Sequence, residues 1–133
     1  MERAYEFLKK CGTYYLATCD ETDERQPRVR PFGTILLFDG KLCFQTGKLK
    51  SVSRQLHQNP KFEICAFDGE RWLRVSGVAV EEARIEAQVQ MLDAYPTLKS
   101  MYAPGDGNTE IFKIEHGVAT FSSFAEAPTT IEF

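Results

Sequence analysis

Two groups of residues in the sequence have side chains suited to a planar, negatively charged ligand. Arg28 and Arg30 are two positions apart in a segment typical of a strand, so their side chains share one face, which Phe32 extends with an aromatic ring. Arginine suits phosphate or an electron-rich ring edge because its planar fork makes two parallel hydrogen bonds. The alternative interpretation is a solvated strand face on which the arginines serve only solubility.

The second group begins where a later strand is expected to end, at the sequence TGKLKS (residues 46–51). The chain turns through glycine and enters a predicted helix whose first backbone N–H groups lack internal partners, and such a helix end attracts phosphate. A hydroxyl group from Thr46 or Ser51 and the ammonium groups of Lys48 and Lys50 could complete a dianion site. A lysine-rich turn is also typical of a solvated loop.

Pro31 and Gly33 flank Phe32 and weaken the strand around it. Proline lacks a backbone donor and glycine lacks a side chain, so this stretch is poor in ladder hydrogen bonds and open to a flat ligand. We expect a barrel to split at this point. The alternative is that Pro31 only marks the edge of a sheet.

Charge is distributed unevenly along the chain. Residues 25–54 carry a net charge of +6, whereas the whole chain of 133 residues carries -3, so the remainder carries -9. This split favours a local anion site over a nucleic-acid surface. The four cysteines are widely and irregularly spaced, and neither they nor the two histidines form a paired ligand motif, so no metal site is predicted.

The pattern along the chain predicts short strands joined by hairpins. A helix over residues 2–10 precedes strands over 14–19, 28–38 and 41–46, with Asp39 and Gly40 as a tight turn. A helix over 51–58 leads to strands over 61–67 and 71–80. A helix over 82–95 and a short turn or helix starting at Pro96 precede strands over 110–114 and 118–124.

This order contains antiparallel hairpins and no repeated strand–helix period. It predicts a mainly β fold, an antiparallel split barrel with peripheral helices, as one domain over residues 1–133. No apolar run approaches the ~20 residues of a membrane span, and the first residues do not resemble a signal peptide. The expected location is the cytoplasm, without a membrane partner.

Several of these segments together resemble the pyridoxamine 5'-phosphate oxidase-like family of FMN-binding split barrels. The resemblance lies in PRVRPFG (residues 27–33), the Asp39-Gly40 hairpin, FQTGKLKSVSRQL (44–56), Asn59-Pro60 and WLRVSG (72–77). It implies FMN at the interface of a homodimer. The oxidase itself ends in an Arg-Leu-x-Pro-type sequence, whereas this chain ends TTIEF, so vitamin B6 oxidation is not expected.

The resemblance also implies roles for individual residues. Arg30 would contact FMN, and the strand through Pro31 and Phe32 would lie along the isoalloxazine ring, with Arg28 nearby. Trp72 would face the flavin of the partner subunit. The phosphate would be bound by the group at the helix start, namely Thr46, Lys48, Lys50 and Ser51.

Three functions are consistent with these residues. The first is an FMN-dependent oxidoreductase whose flavin supplies the hydride or electron transfer, with no protein acid or base identified. The second is a flavin-binding module without turnover. For this protein, a deazaflavin or haem is an alternative to FMN as the ligand. The third, from another class, is a small barrel that binds single-stranded nucleic acid, which the acidic overall charge disfavours.

Overall fold

The computed structural model describes residues 1–133 and contains eight strands, three α-helices and one 3-10 helix. The elements in chain order are α1 (Glu2–Cys11), β1 (Tyr14–Cys19), β2 (Pro27–Phe32), β3 (Leu36–Phe38), β4 (Lys41–Gly47), α2 (Ser51–Gln58), β5 (Lys61–Phe67), β6 (Arg71–Glu81), α3 (Ile85–Ala94), the 3-10 helix (Pro96–Ser100), β7 (Thr109–Ser123) and β8 (Thr129–Glu132). None of the helices is long and apolar enough to cross a lipid bilayer.

The strands form one antiparallel sheet whose two edges are adjacent in the chain. The order across the sheet is β2-β1-β5-β6-β7-β4-β3, and β8 pairs with β7. Edge strands β2 and β3 are joined by only residues 33–35, and the four Cα–Cα steps from Phe32 to Leu36 span at most about 14 Å. The sheet must therefore curl until its edges approach, but it does not close. The predicted split barrel is confirmed.

The connection between the two edges is held by side chains instead of sheet hydrogen bonds. The Tyr14 hydroxyl donates to the Thr34 carbonyl oxygen at 2.6 Å, and the Gln45 N–H donates to the Thr34 hydroxyl at 3.0 Å. Tyr95 accepts from the Ile35 N–H at 3.0 Å and donates to the Ile35 carbonyl at 3.1 Å. These bonds satisfy polar backbone that the split would otherwise leave unpaired.

The interior of the barrel is a single apolar cluster that includes Phe44, Phe62 and Phe112. The Phe44 ring contacts those of Phe32, Phe62 and Phe112, with centroid distances between 5.6 and 5.7 Å. Because Phe32 reaches this cluster from the edge strand β2, the split opens directly over the core.

The helices and strands predicted from the sequence agree with those of the structure, with four exceptions. The predicted strand 28–38 is interrupted at residues 33–35, and the two predicted C-terminal strands are one strand, β7, which continues through His116 at a φ of 52°. Helix α3 begins at Ile85 instead of residue 82, because the Glu82 side chain is buried in an ion-pair network. Strand β8 was not predicted. The Asp39-Gly40 turn is confirmed, with both residues at positive φ.

Glu82 connects three parts of the fold at the base of α3. Its carboxylate accepts from Arg84 Nε at 2.6 Å and lies 3.6 Å from Lys113 Nζ, and Arg84 also pairs with Asp39 in the β3–β4 turn at 2.8 Å. The hydrogen bonds from Arg84 lower the pKa of Glu82 from 4.5 to about 2. A carboxylate whose pKa falls on folding stabilises the protein above its unfolded pKa and loses that contribution as the pH falls through the folded value.

We therefore expect Glu82→Gln to lower the free energy of unfolding at pH 7 by roughly 1–2 kcal/mol, since a hydrogen-bonded charge is removed. Between pH 4.5 and 2 the stability of the wild type should fall more steeply than that of the variant. Urea unfolding across this range measures both effects. Glu126→Gln, at an exposed position without an ion pair, is the control; parallel pH profiles for wild type and Glu82→Gln would contradict the assignment.

Candidate functional site

The split between the two sheet edges forms a cleft with a volume of about 340 Å³. Its polar lining includes Arg30, Thr46 and Lys50, and its apolar lining includes Phe32 and Met101. A volume of this size, with a few polar groups on an otherwise apolar lining, is typical of small-molecule sites. Five of the nine residues singled out from the sequence line this cleft: Arg30, Pro31, Phe32, Thr46 and Lys50.

Arg30 is held in place by neutral partners only. Its guanidinium donates to the Thr18 hydroxyl at 2.8 Å, to Gln55 Oε1 at 2.7 Å and to the Leu16 carbonyl oxygen at 3.2 Å. Thr18 in turn donates to the same Gln55 oxygen at 2.5 Å. Burial, and then the charge of Arg28, lower the pKa of Arg30. A partly buried cation that makes no ion pair favours an anionic ligand.

Beside the cleft, and sharing Arg30 with it, lies a more polar groove. Arg28, Ser51 and Gln55 line this groove together with Asp20 and Glu21. Arg28 pairs with Asp20 at 3.4 Å, so its charge is partly neutralised within the protein. The Ser51 position begins α2, whose first turn contains no acidic residue. Arg30 therefore separates a largely apolar cleft from a groove where a helix starts.

Two of the residues singled out from the sequence lie away from this region. Lys48 points to Glu81, with Nζ 3.7 Å from a carboxylate oxygen, and does not line the cleft. Trp72 packs against Phe124 on the outside of the sheet, with ring centroids 5.0 Å apart. Lys41 also lies away from the cleft and pairs with Glu115 at 2.9 Å.

One wall of the cleft comes from the segment after α3, which no sequence pattern indicated as part of the site. Tyr95, Thr97, Leu98, Met101 and Tyr102 all line the cleft. Tyr95 is fixed by its two hydrogen bonds to Ile35, described above. Tyr102 packs so closely on the end of β4 that a Cβ atom at Gly47 would lie 2.8 Å from its hydroxyl oxygen. Any side chain at position 47 would therefore require the Tyr102 ring to shift.

The lining of the cleft limits the chemistry that the protein can supply by itself. No histidine, cysteine or carboxylate lines the cleft, and its titratable side chains are those of Arg30, Lys50, Tyr95 and Tyr102. Thr46 is only 3% exposed, and its hydroxyl makes no hydrogen bond within the protein, which leaves it available to a ligand. The lining thus combines apolar surface with hydroxyl and basic side chains.

Known proteins share this architecture. A crystal structure of a NimC/NimA family protein from Clostridium acetobutylicum is 40% identical, with a TM-score of 0.92 over 100% of this chain and 92% of that one. General Stress Protein 26 from Bacillus anthracis is 16% identical (TM-score 0.74; 98% and 99% covered), and a heme binding protein from Mycobacterium smegmatis is 17% identical (0.67; 97% and 57%), which shows a shared fold. A comparison with curated protein sequences gave no match.

The family assignment rests on most of the chain. Residues 1–122 match the family described as pyridoxamine 5'-phosphate oxidase, and this range contains the cleft, the groove and the tyrosines that close one wall. The resemblance noted in the sequence is therefore confirmed. The chain belongs to the pyridoxamine 5'-phosphate oxidase-like family.

Proposed function

We propose that this protein binds FMN in the cleft between β2 and β4 and uses it, as a homodimer, in the oxidation or reduction of a small molecule. The observation that carries the proposal is Arg30, a partly buried guanidinium without an ion pair at the junction of the cleft and the groove. Members of this family commonly bind flavin. FMN contains a flat ring, which suits the cleft, and a phosphate, which suits the groove.

The residues present fit such a ligand in chemical type. Phe32, Leu98 and Met101 would provide apolar contacts for the ring, while Thr46 and Lys50 would supply hydrogen bonds. Arg28, Arg30 and Ser51 would bind the phosphate in the groove, where the start of α2 presents free N–H groups. When bound, flavin supplies the hydride or electron transfer, and the protein determines orientation and access.

An exposed apolar surface supports the proposed dimer. Residues paired across antiparallel strands share a face, which places Val29, Tyr15, Phe67 and Trp72 together on the outside of the sheet. Val29, Tyr15 and Phe67 are 67%, 52% and 58% exposed, respectively. A surface of this kind suits a twofold interface because a second copy would cover it. Trp72, remote from its own cleft, would then be available to the partner's site.

The same residues would serve a flavin-binding module without turnover, and a structural neighbour is a heme binding protein. The absorption spectrum of the purified protein distinguishes flavin from haem. Anaerobic bleaching of the bound flavin by NADH or NADPH, followed by reoxidation with an added acceptor, would indicate an oxidoreductase. A flavin that stays oxidised with both donors and with other two-electron reductants would favour the binding module.

Substitution of Arg30 tests its proposed contact with FMN. Arg30→Ala should weaken FMN binding by about ten- to a hundredfold, the loss of a charge-assisted hydrogen bond worth roughly 1.5–3 kcal/mol. Arg30→Lys should bind with intermediate affinity, because it keeps the charge and loses the fork. Quenching of flavin fluorescence on titration of the apoprotein measures the dissociation constant.

Lys41→Ala is the matched control for Arg30, since Lys41 also makes a polar contact but lies away from the cleft. It should change FMN affinity by less than about twofold. Circular dichroism and cooperative unfolding must match the wild type for each variant. A folded Arg30→Ala protein with wild-type affinity would overturn the assignment of the site.

The dependence of binding affinity on salt concentration should distinguish contacts to the phosphate from contacts to the ring. Raising ionic strength should weaken the binding of FMN more than that of riboflavin, because only FMN carries the phosphate that the basic groups attract. Arg28→Ala should reduce this difference, because Arg28 lines the groove in which the phosphate would bind. Lys48→Ala should leave it unchanged, since Lys48 pairs with Glu81 and lines neither region. Parallel titrations of both flavins at two salt concentrations provide the measurement. Equal salt dependence for the two flavins would exclude phosphate binding in the groove.

An acidic substitution in the exposed apolar surface tests the proposed dimer. Phe67→Asp should convert a dimer of about twice 15.1 kDa into a monomer, because desolvating a carboxylate in an apolar interface is costly. Sedimentation measures the mass. Val89→Asp, a comparable change at a 39% exposed position on α3, should remain dimeric. A wild-type protein that sediments as a monomer with and without FMN would refute the dimer and the role of Trp72.

A further inference from the structure

A cluster of three metal-ligating side chains lies outside the cleft, where distant segments of the chain meet. His57 comes from the last turn of α2, Glu81 ends β6, and Glu110 follows the first residue of β7. One ligand atom from each residue lies within 4.8 Å of the others. The sequence contains no sign of this arrangement, because more than twenty residues separate each member from the next along the chain.

Glu110 is the fixed member of the cluster. Its side chain is fully buried, and its Oε1 accepts a hydrogen bond from the Ser53 hydroxyl at 2.6 Å. Its other oxygen, Oε2, lies 2.6 Å from His57 Nε2. Ser53 thus orients the carboxylate and leaves Oε2 directed at the remaining members, which is how outer partners orient carboxylate ligands in metal sites.

Glu81 brings a second carboxyl group to the same place. It lies within hydrogen-bonding reach of Glu110, although two adjacent carboxylates repel each other unless a proton or a cation lies between them. The nearby ammonium group, Lys48 Nζ, is 3.7 Å from Glu81 and forms no ion pair with Glu110. A mixed imidazole and carboxylate set around a buried anion is better matched by a divalent cation than by this peripheral lysine.

We propose that His57, Glu81 and Glu110 form a binding site for a divalent transition-metal ion, with Zn²⁺ as the ion that the ligand types and number suit. One imidazole nitrogen and two carboxylate oxygens leave a fourth tetrahedral position for water. Water can reach it because His57 is half exposed and the Glu81 side chain is 34% exposed. This inference is independent of the proposed flavin function.

The ligand atoms lie within 4.8 Å of one another and must adjust to accept the ion, as the exposed His57 and Glu81 side chains allow. Bonds of about 2.0–2.1 Å in a tetrahedral site place neighbouring ligand atoms about 3.3 Å apart. His57 Nε2 and Glu110 Oε2 are 2.6 Å apart, so the imidazole must move outward by about 0.7 Å. The side chain of His57 is half exposed and can make this movement. The buried, Ser53-bound Glu110 can stay in place.

The experiment uses Co²⁺ as a spectroscopic substitute for Zn²⁺, added to the metal-stripped, full-length protein. We expect one Co²⁺ per chain with the visible absorption of a four-coordinate site, displaced by Zn²⁺. His57→Gln and Glu81→Gln should each weaken Zn²⁺ binding at least tenfold, and Ser53→Ala should weaken it less. Zn²⁺ should also raise the unfolding temperature of the wild type, and a chelator should reverse the increase.

The matched controls are His116, the other histidine of the chain, and Glu115, the acidic residue that precedes it in the sequence. His116→Gln and Glu115→Gln should bind Zn²⁺ like the wild type, since neither residue belongs to the cluster. The proposal is overturned if wild-type protein does not bind Zn²⁺ or Co²⁺ at about 100 µM, a free energy of roughly -5.5 kcal/mol. It is also overturned if folded His57→Gln and Glu81→Gln proteins bind as tightly as the wild type. The cluster would then be a network of protonated groups only.

Discussion

The structure depends on one covalent constraint, the short connection between the two edge strands of the sheet. Because β2 and β3 lie at opposite ends of the strand order but are only three residues apart in the chain, the sheet has to curl on itself. The connecting residues cannot join either ladder, so Tyr14 and Tyr95 satisfy backbone groups of Thr34 and Ile35. The Thr34 hydroxyl in turn accepts from the Gln45 N–H. The gap that remains is the candidate site.

The chemistry of the site follows from this arrangement. Arg30 projects from the edge strand and is oriented by Thr18 on the next strand and by Gln55 on α2, so three elements determine its position. The neutral character of these partners leaves its charge uncompensated, whereas Arg28, two residues earlier, already has Asp20. Two arginines of identical type on one strand therefore differ in what they can offer a ligand. Burial and partners, more than residue type, distinguish them.

Much of the fold could be predicted because its signals are local. Turn residues such as Asp39 and Gly40, and the Pro60 that follows α2, fix where elements end. The interrupted strand and the continuous β7 could not be predicted, since both depend on contacts across the sheet. The same distinction applies to the site. Residues on one strand face were foreseeable, while Gln55, Tyr102 and the direction of Lys48 are set by tertiary packing.

An open barrel has a cost that a closed one avoids, because it leaves a strand edge able to pair with another chain. The edge strand β2 begins with Pro27 and contains Pro31 four residues later, so the backbone nitrogens of both prolines lie on the same side of the strand. Proline on an edge strand takes positions where the missing N–H would point away from the sheet. Of the three residues of β2 whose backbone N–H groups would point away from the sheet, only Val29, between the two prolines, has a donor. The strand that borders the cleft is thereby disfavoured as a template for edge-to-edge pairing.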